Sequence, residues 1–120
     1  MKYSTLNLIN KPDSIQPLKI LMADNLFLRL RGLLGRTFEN IDGLALIPCN
    51  SIHTMFMAYS IDVVFIDKKG RILKVIPEVK PWTMFAAAAR AKTVLELPAG
   101  AAQSLNIEPG DICEFVSAGN

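Results

Sequence analysis

Sulfur and imidazole side chains alternate along one short stretch of this chain: Cys49, then His53, Met55 and Met57, with Ser51 between the first two. On an extended strand, period two places all five on one face. Thiolate, imidazole and thioether are the donors that suit cuprous copper, which makes Cys49, His53, Met55 and Met57 a candidate metal set. Alternate strand positions lie about 6.5 Å apart, so long side chains have to converge to share one ion. Methionine is also a common core filler, and a packed sheet face is the leading reading of the same pattern. His53, the only histidine, is a candidate general base as well. It has nothing evident to act on: the sequence contains no nucleophile elbow, HExxH pair or glycine-rich phosphate loop. Cys49 is too far from it along a strand to form a nucleophile–base pair. A partly covered, hydrogen-bonded structural imidazole is the default expectation.

Three further residues carry possible chemistry. Arg31 borders the apolar face of a helical pattern, and Asp62 opens a strand that reads as buried. A carboxylate entering a core has to be paired or hydrogen-bonded, and arginine does this with two parallel bonds. The alternative is an Asp62 that accepts backbone N–H groups in the turn before its strand. Trp82 follows Pro81 in a loop, where an indole serves either as a platform for a ligand or as a lid over its own core. The candidate ligand-binding set is therefore Arg31, His53, Met57, Asp62 and Trp82.

The elements that position these residues are mostly strands. YSTLNLIN and IQPLKILMA read as two strands joined through a turn at Lys11-Pro12-Asp13, with Pro17 at an edge or bulge. Asp24 or Asn25 can cap one main helix over residues 24–34, stopped by Gly35. GLALIP is a strand. DVVFID is apolar on both faces, the pattern of a central strand. DKKG supplies a hairpin loop with Gly70 at its left-handed position, and RILKVIPEV returns as the partner. MFAAAARA reads as a helical turn or compact loop, TVLELPAG as a strand, AAQSLNI as one or two helical turns, and PGDICEFV as a turn and last strand. The expected fold is mainly β: a compact sandwich or barrel with one main helix and short helical insertions.

A chain of 120 residues is one domain, here 1–120, large enough to bury a core without a disulfide or a metal. The net charge of +2 gives no reason to expect nucleic acid. Residues 1–36 hold six basic and two acidic residues, while residues 93–120 hold four acidic and no basic ones. Two ends that lie together and cancel explain this more simply than a steering field. Cys49 and Cys113 read as buried thiols, and no run approaches the roughly 18 apolar residues of a membrane span. The N-terminus lacks the pattern of a signal peptide, so a cytoplasmic, reducing compartment is expected, although a leader trimmed away would leave no trace.

The blocks RLRGLLGR, PCNSIHTMFMAYSIDVVFID, KKGRILKVIPEVKPW, AKTVLELPAG and IEPGD occur in an order and spacing that resembles the bacterial and archaeal domain-of-unknown-function 192 family. The resemblance runs from about residue 20 to near the end of the chain. It implies a compact β sandwich or barrel and no established activity, among relatives that often carry secretion leaders or belong with envelope and pilus functions. Two positions depart from the family pattern: Ala58 where a basic residue is usual, and Ser60 where proline is usual. An anion-holding role for that basic residue does not carry over.

The leading functional reading is a non-catalytic ligand-binding or accessory module for a small molecule or an extended polymer segment, without a cofactor. One alternative is an enzyme using His53 with Arg31 or Asp62. The other is a copper-handling protein built on His53, Met55 and Met57.

Overall fold

The computed structural model describes residues 2–24, 38–54, 57–83 and 86–117. The helix expected over 24–34 lies outside them apart from Asp24, and Arg31 and Met55 are outside as well. The described elements in chain order are β1 (Lys2–Leu8), β2 (Leu18–Ala23), β3 (Gly43–Leu46), β4 (Ser51–Ile52), β5 (Ile61–Asp67), β6 (Ile72–Val79), β7 (Ala86–Ala87), β8 (Ala91–Pro98), the short helix α1 (Ala101–Ser104) and β9 (Cys113–Ser117). Seven strands make one sheet in the order β6-β5-β8-β3-β2-β1-β9, and β4 pairs with β7 in a separate ribbon. All neighbours are antiparallel except β2 and β3.

The doubly apolar β5 lies inside the sheet, between β6 and β8, and is buried from Ile61 through Ile66. Its alternating side chains divide the interior into two cores. The first gathers Leu6, Leu8, Ile20, Val64, Ile66, Leu95 and Leu97 beneath Ala102 of α1. The second gathers Leu21, Leu44, Leu46, Ile61, Val63, Phe65 and Val94 beneath Met57 and Ala86.

The edge strands β6 and β9 meet at one end only. Arg71 and Ile112 form an antiparallel bridge, the Ile72 N–H donates to the Asp111 carbonyl (2.8 Å) and the Cys113 N–H donates to the Gly70 carbonyl (2.7 Å). The sheet is thus curled into an open half-barrel. Opposite charges from the two chain ends come together beside this seam. Lys11 Nζ lies 3.0 Å from Asp111 Oδ2 and 3.6 Å from Glu108 Oε2, and Asn10 Nδ2 donates to Asp111 Oδ1 (2.9 Å).

Two expectations are corrected. The alanine run is not helical at Ala86–Ala87, which forms strand β7, because Ser51 and Ile52 offer it a ladder. Residues 49–57 are not one strand: β4 ends at Ile52, so the single shared face for Cys49, His53 and Met57 does not form.

The β5–β6 hairpin closes on Asp67, whose Oδ1 accepts from the N–H groups of Lys69 (2.8 Å) and Arg71 (3.0 Å). Gly70 takes φ +87°, and a Cβ there would run into the Cys113 carbonyl across the seam. Gly70→Ala therefore combines a left-handed backbone with a backbone clash, and should lower the unfolding free energy by about 2 kcal/mol or more in urea. A change within about 0.5 kcal/mol, the usual range for a surface substitution, would show that the seam does not constrain this position.

Candidate functional site

Thr54 organises the loops where the sequence places its chemistry. The side chain is fully buried, and its hydroxyl donates to the Lys80 carbonyl (2.6 Å) and accepts from the Thr83 N–H (2.8 Å). Its N–H donates to the Thr83 carbonyl (2.9 Å), while its carbonyl accepts from the N–H groups of Trp82 (2.8 Å) and Met57 (3.1 Å). A buried hydroxyl needs such partners, and here they fasten residues 80–83 to Thr54.

This knot decides where the candidate residues go. His53 lies just before the inward turn and is exposed. Trp82 lies on the opposing loop, 55% exposed and with φ +65°. Met57 points the other way, into the second core at 8% exposure. The half-buried Cys49 thiol donates to the Ser51 carbonyl (3.0 Å), so of the two thiols expected to be buried Cys49 is only partly so. Cys113 is the buried one, its thiol pushed up to about 12 by burial and, to a lesser extent, by the Asp111 charge. Among the described residues, no group of three His, Cys, Asp or Glu side chains could hold a metal ion.

Asp62 points to the first face and is fully buried. Its Oδ1 accepts from the N–H groups of Glu78 (2.8 Å) and Gly100 (3.2 Å), and its Oδ2 from that of Ala102 (2.9 Å). The donors come from β6 and from the turn entering α1, not from the turn before its own strand. Opposite Asp62, β6 carries an extra residue: Ile61 pairs with Val79 and Val63 with Ile76. Glu78, in this bulge, has φ +50°, and Asp62 holds its N–H in place. The expected Arg31 partnership involves a residue outside the described ones.

Glu96 is the acidic residue that sequence reasoning misses. It faces the second core from β8, between Leu44 on β3 and Val63 on β5, and is only 5% exposed. Among the described residues, no hydrogen bond or ion pair reaches its carboxyl group. Burial raises its pKa from 4.5 to about 8. The half-buried Tyr59 lies within electrostatic reach, its phenol pushed up by burial first and by the Glu96 charge second. The available signal is a charged residue inside VLELP, a strand apolar on both sides of it.

The family model that matches this geometry's sequence is DUF192, described as an "Uncharacterized ACR", and the match runs from residue 8 to residue 115. The chain belongs to the DUF192 family. A UPF0127 protein of Thermococcus sibiricus is 33% identical over 98 residues, covering 78% of this chain and 63% of that protein. A UPF0127 protein of Pyrococcus abyssi is 34% identical over 107 residues, covering 82% and 87%. The chain thus spans less than two thirds of the Thermococcus relative. A solved structure from Sinorhizobium meliloti superposes with a TM-score of 0.80 at 21% identity, over 95% of this chain and 92% of that one. At that identity the likeness concerns the fold. No helix among the described residues is long and apolar enough to cross a membrane.

Two predictions separate the roles of the acids in this DUF192 chain. Asp62→Ala would strand the buried N–H of Ala102, at about 1–3 kcal/mol, and leave the part-buried N–H groups of Glu78 and Gly100 without their acceptor. The variant should lose about 2 kcal/mol or more in chemical denaturation, and a loss under about 1 kcal/mol would contradict the anchoring role. For Glu96, the native state holds its proton between 4.5 and about 8 while the unfolded chain does not. Stability should therefore fall as pH rises through that window, by on the order of 1 kcal/mol per unit, and level off above it. Glu96→Gln, neutral at every pH, should remove this decline, which melting curves at pH 5.5 and 8.5 would reveal.

Proposed function

We propose that this chain is a non-catalytic binding module that takes an extended polymer segment across the loop pair bearing His53 and Trp82. The observation that carries this reading is the exposed indole on a left-handed backbone, fixed by the bond from its own N–H to Thr54. A bulky residue at positive φ costs on the order of 1–3 kcal/mol, and such strain gathers at ligand clamps. A lid would use that strain to bury the ring, whereas here Trp82 is 55% exposed.

The magnitudes favour an extended ligand over a small one. Covering the exposed part of an indole, on the order of 100 Å², gives about 2–3 kcal/mol. Association costs about 4 kcal/mol or more in lost freedom, so a single stacked ring is not held firmly. A polymer that stacks one flat unit on Trp82 and runs on past His53 adds the missing contacts. The family match supports a module without assigned chemistry.

Trp82 is the chain's only tryptophan, so its fluorescence reports directly on this face. Titration with a decaproline peptide and with an N-acetylglucosamine hexamer should give a saturable emission shift with one of them. Trp82→Gly should abolish binding of that probe by calorimetry while leaving stability equal or higher by about 1 kcal/mol, because glycine accepts φ +65° without strain. No response to either probe, together with a Trp82→Gly variant destabilised by more than about 2 kcal/mol, would identify the ring as a structural lid instead.

A further inference from the structure

On the face of the first core, β1 carries Leu8 and Leu6, then Ser4 and Lys2: two core leucines followed by a small side chain and a charged one. Period two puts all four on one side of the sheet. The registers set Lys2 opposite Met22, and Ser4 between Ile20 of β2 and Ser117 of β9, while Met22 faces Ala45 on β3. The leucine packing of β1 therefore stops at Ser4. Beyond it lies a cavity of about 510 Å³, and Lys2, Ser4, Met22, Asp24, Ile47 and Ser117 are in its lining. A space of that size suits a small molecule. It shares no lining residue with the loop pair of His53 and Trp82. Lys2 and Asp24 are its charged groups among the described residues, with Lys2 Nζ 3.1 Å from Asp24 Oδ2 and 72% and 37% of the two side chains exposed. The Ser4 hydroxyl, by contrast, is in a residue only 9% exposed, and it has no hydrogen-bond partner among the described residues. Buried hydroxyls are normally paired, so one that lines a cavity unpaired points to a ligand group that pairs it.

We propose that this cavity binds a small zwitterion of the α-amino-acid class with an apolar side chain. The ligand carboxylate lies between Lys2 Nζ and the Ser4 hydroxyl, its ammonium meets Asp24, and its side chain runs along Met22 and Ile47. Lys2 and Ser4 are two positions apart on one strand face, so the two oxygens of a single carboxylate can serve both. The juxtaposed opposite charges choose the ligand class. A ligand with one charge takes Lys2 or Asp24 away from its present partner and leaves the other without one. A polyol meets both, but through hydrogen bonds that lack a charge on the ligand side and are the weaker for it. A zwitterion replaces both partners at once. Parting the pair costs little, because an ion pair this exposed contributes little.

The test titrates the whole nitrogen-labelled protein with L-leucine and follows the backbone amides by NMR. The Ser4, Met22 and Asp24 signals should shift and saturate. Leucinamide, which lacks the negative charge, isocaproate, which lacks the positive one, and xylitol, which lacks both, should each bind about tenfold more weakly or worse. Lys2→Gln and Asp24→Asn should each weaken leucine binding by about tenfold or more while leaving the melting temperature in place. Ser4→Ala, which removes only the hydroxyl, should weaken it several-fold. The ligand series on the unaltered protein decides the matter even where a variant fails to fold. No shift with leucine, equal binding of leucinamide, isocaproate or xylitol, or leucine binding that survives both Lys2→Gln and Asp24→Asn would each overturn the proposal.

Discussion

A carboxylate cut off from water needs donors on all its open sides, and Asp62 finds them in three backbone N–H groups that lie outside its own strand. That requirement fixes much of the molecule. One donor comes from the bulge of β6, so the bulge has to form where the carboxylate points. The other two come from Gly100 and Ala102, at the start of a four-residue helix whose N-cap, Gly100, has no capping side chain of its own. So short a helix gains little from its internal bonds. Asp62 supplies the missing cap from across the first core, and Ala102 is thereby held down on the leucines and isoleucines of the sheet.

The two acids of the central strands make a deliberate contrast in physics. Asp62 and Glu96 sit on adjacent strands and face opposite cores, at 0% and 5% exposure. Asp62 is ringed with donors, so its charge is accommodated. Glu96 has no such ring among the described residues, so burial works against its charge and the proton stays. The same residue chemistry thus gives an anchor on one face and a titratable group on the other.

The legible parts of the sequence were those whose cause is local. Residues 63–66 are apolar at successive positions, and only a strand covered on both faces suits them, which is where β5 lies. DKKG announces its hairpin because Asp67 can bond the N–H groups two and four positions on, and Gly70 accepts positive φ. The stretch 49–57 misleads because its alternation of types imitates a strand, while its course is set by Thr54. That hydroxyl bonds residues 26 and 29 positions away, which no local pattern reveals. For the same reason Ala86–Ala87 is read as helical or looped: its strand character belongs to its partner, Ser51–Ile52. Of the candidate residues, His53 and Trp82 come together on one loop pair, Met57 and Asp62 go to opposite cores, and Arg31 and Met55 lie outside the described residues.

The pairing of β1 with β9 joins Ser4 to Ser117 and Leu8 to Cys113. A chain emerging from the ribosome can form the β1–β2 hairpin early, yet the other edge of β1 stays bare until residue 117 has been made. The first core lacks its Cys113 wall for the same interval, and closure of the half-barrel waits on the last strand. Contacts this distant in sequence form slowly, since the whole intervening chain must be ordered first. During that wait the uncovered edge of β1 is a template for a neighbouring nascent chain, so the topology that closes the sheet also sets the window in which crowded synthesis can misassemble it.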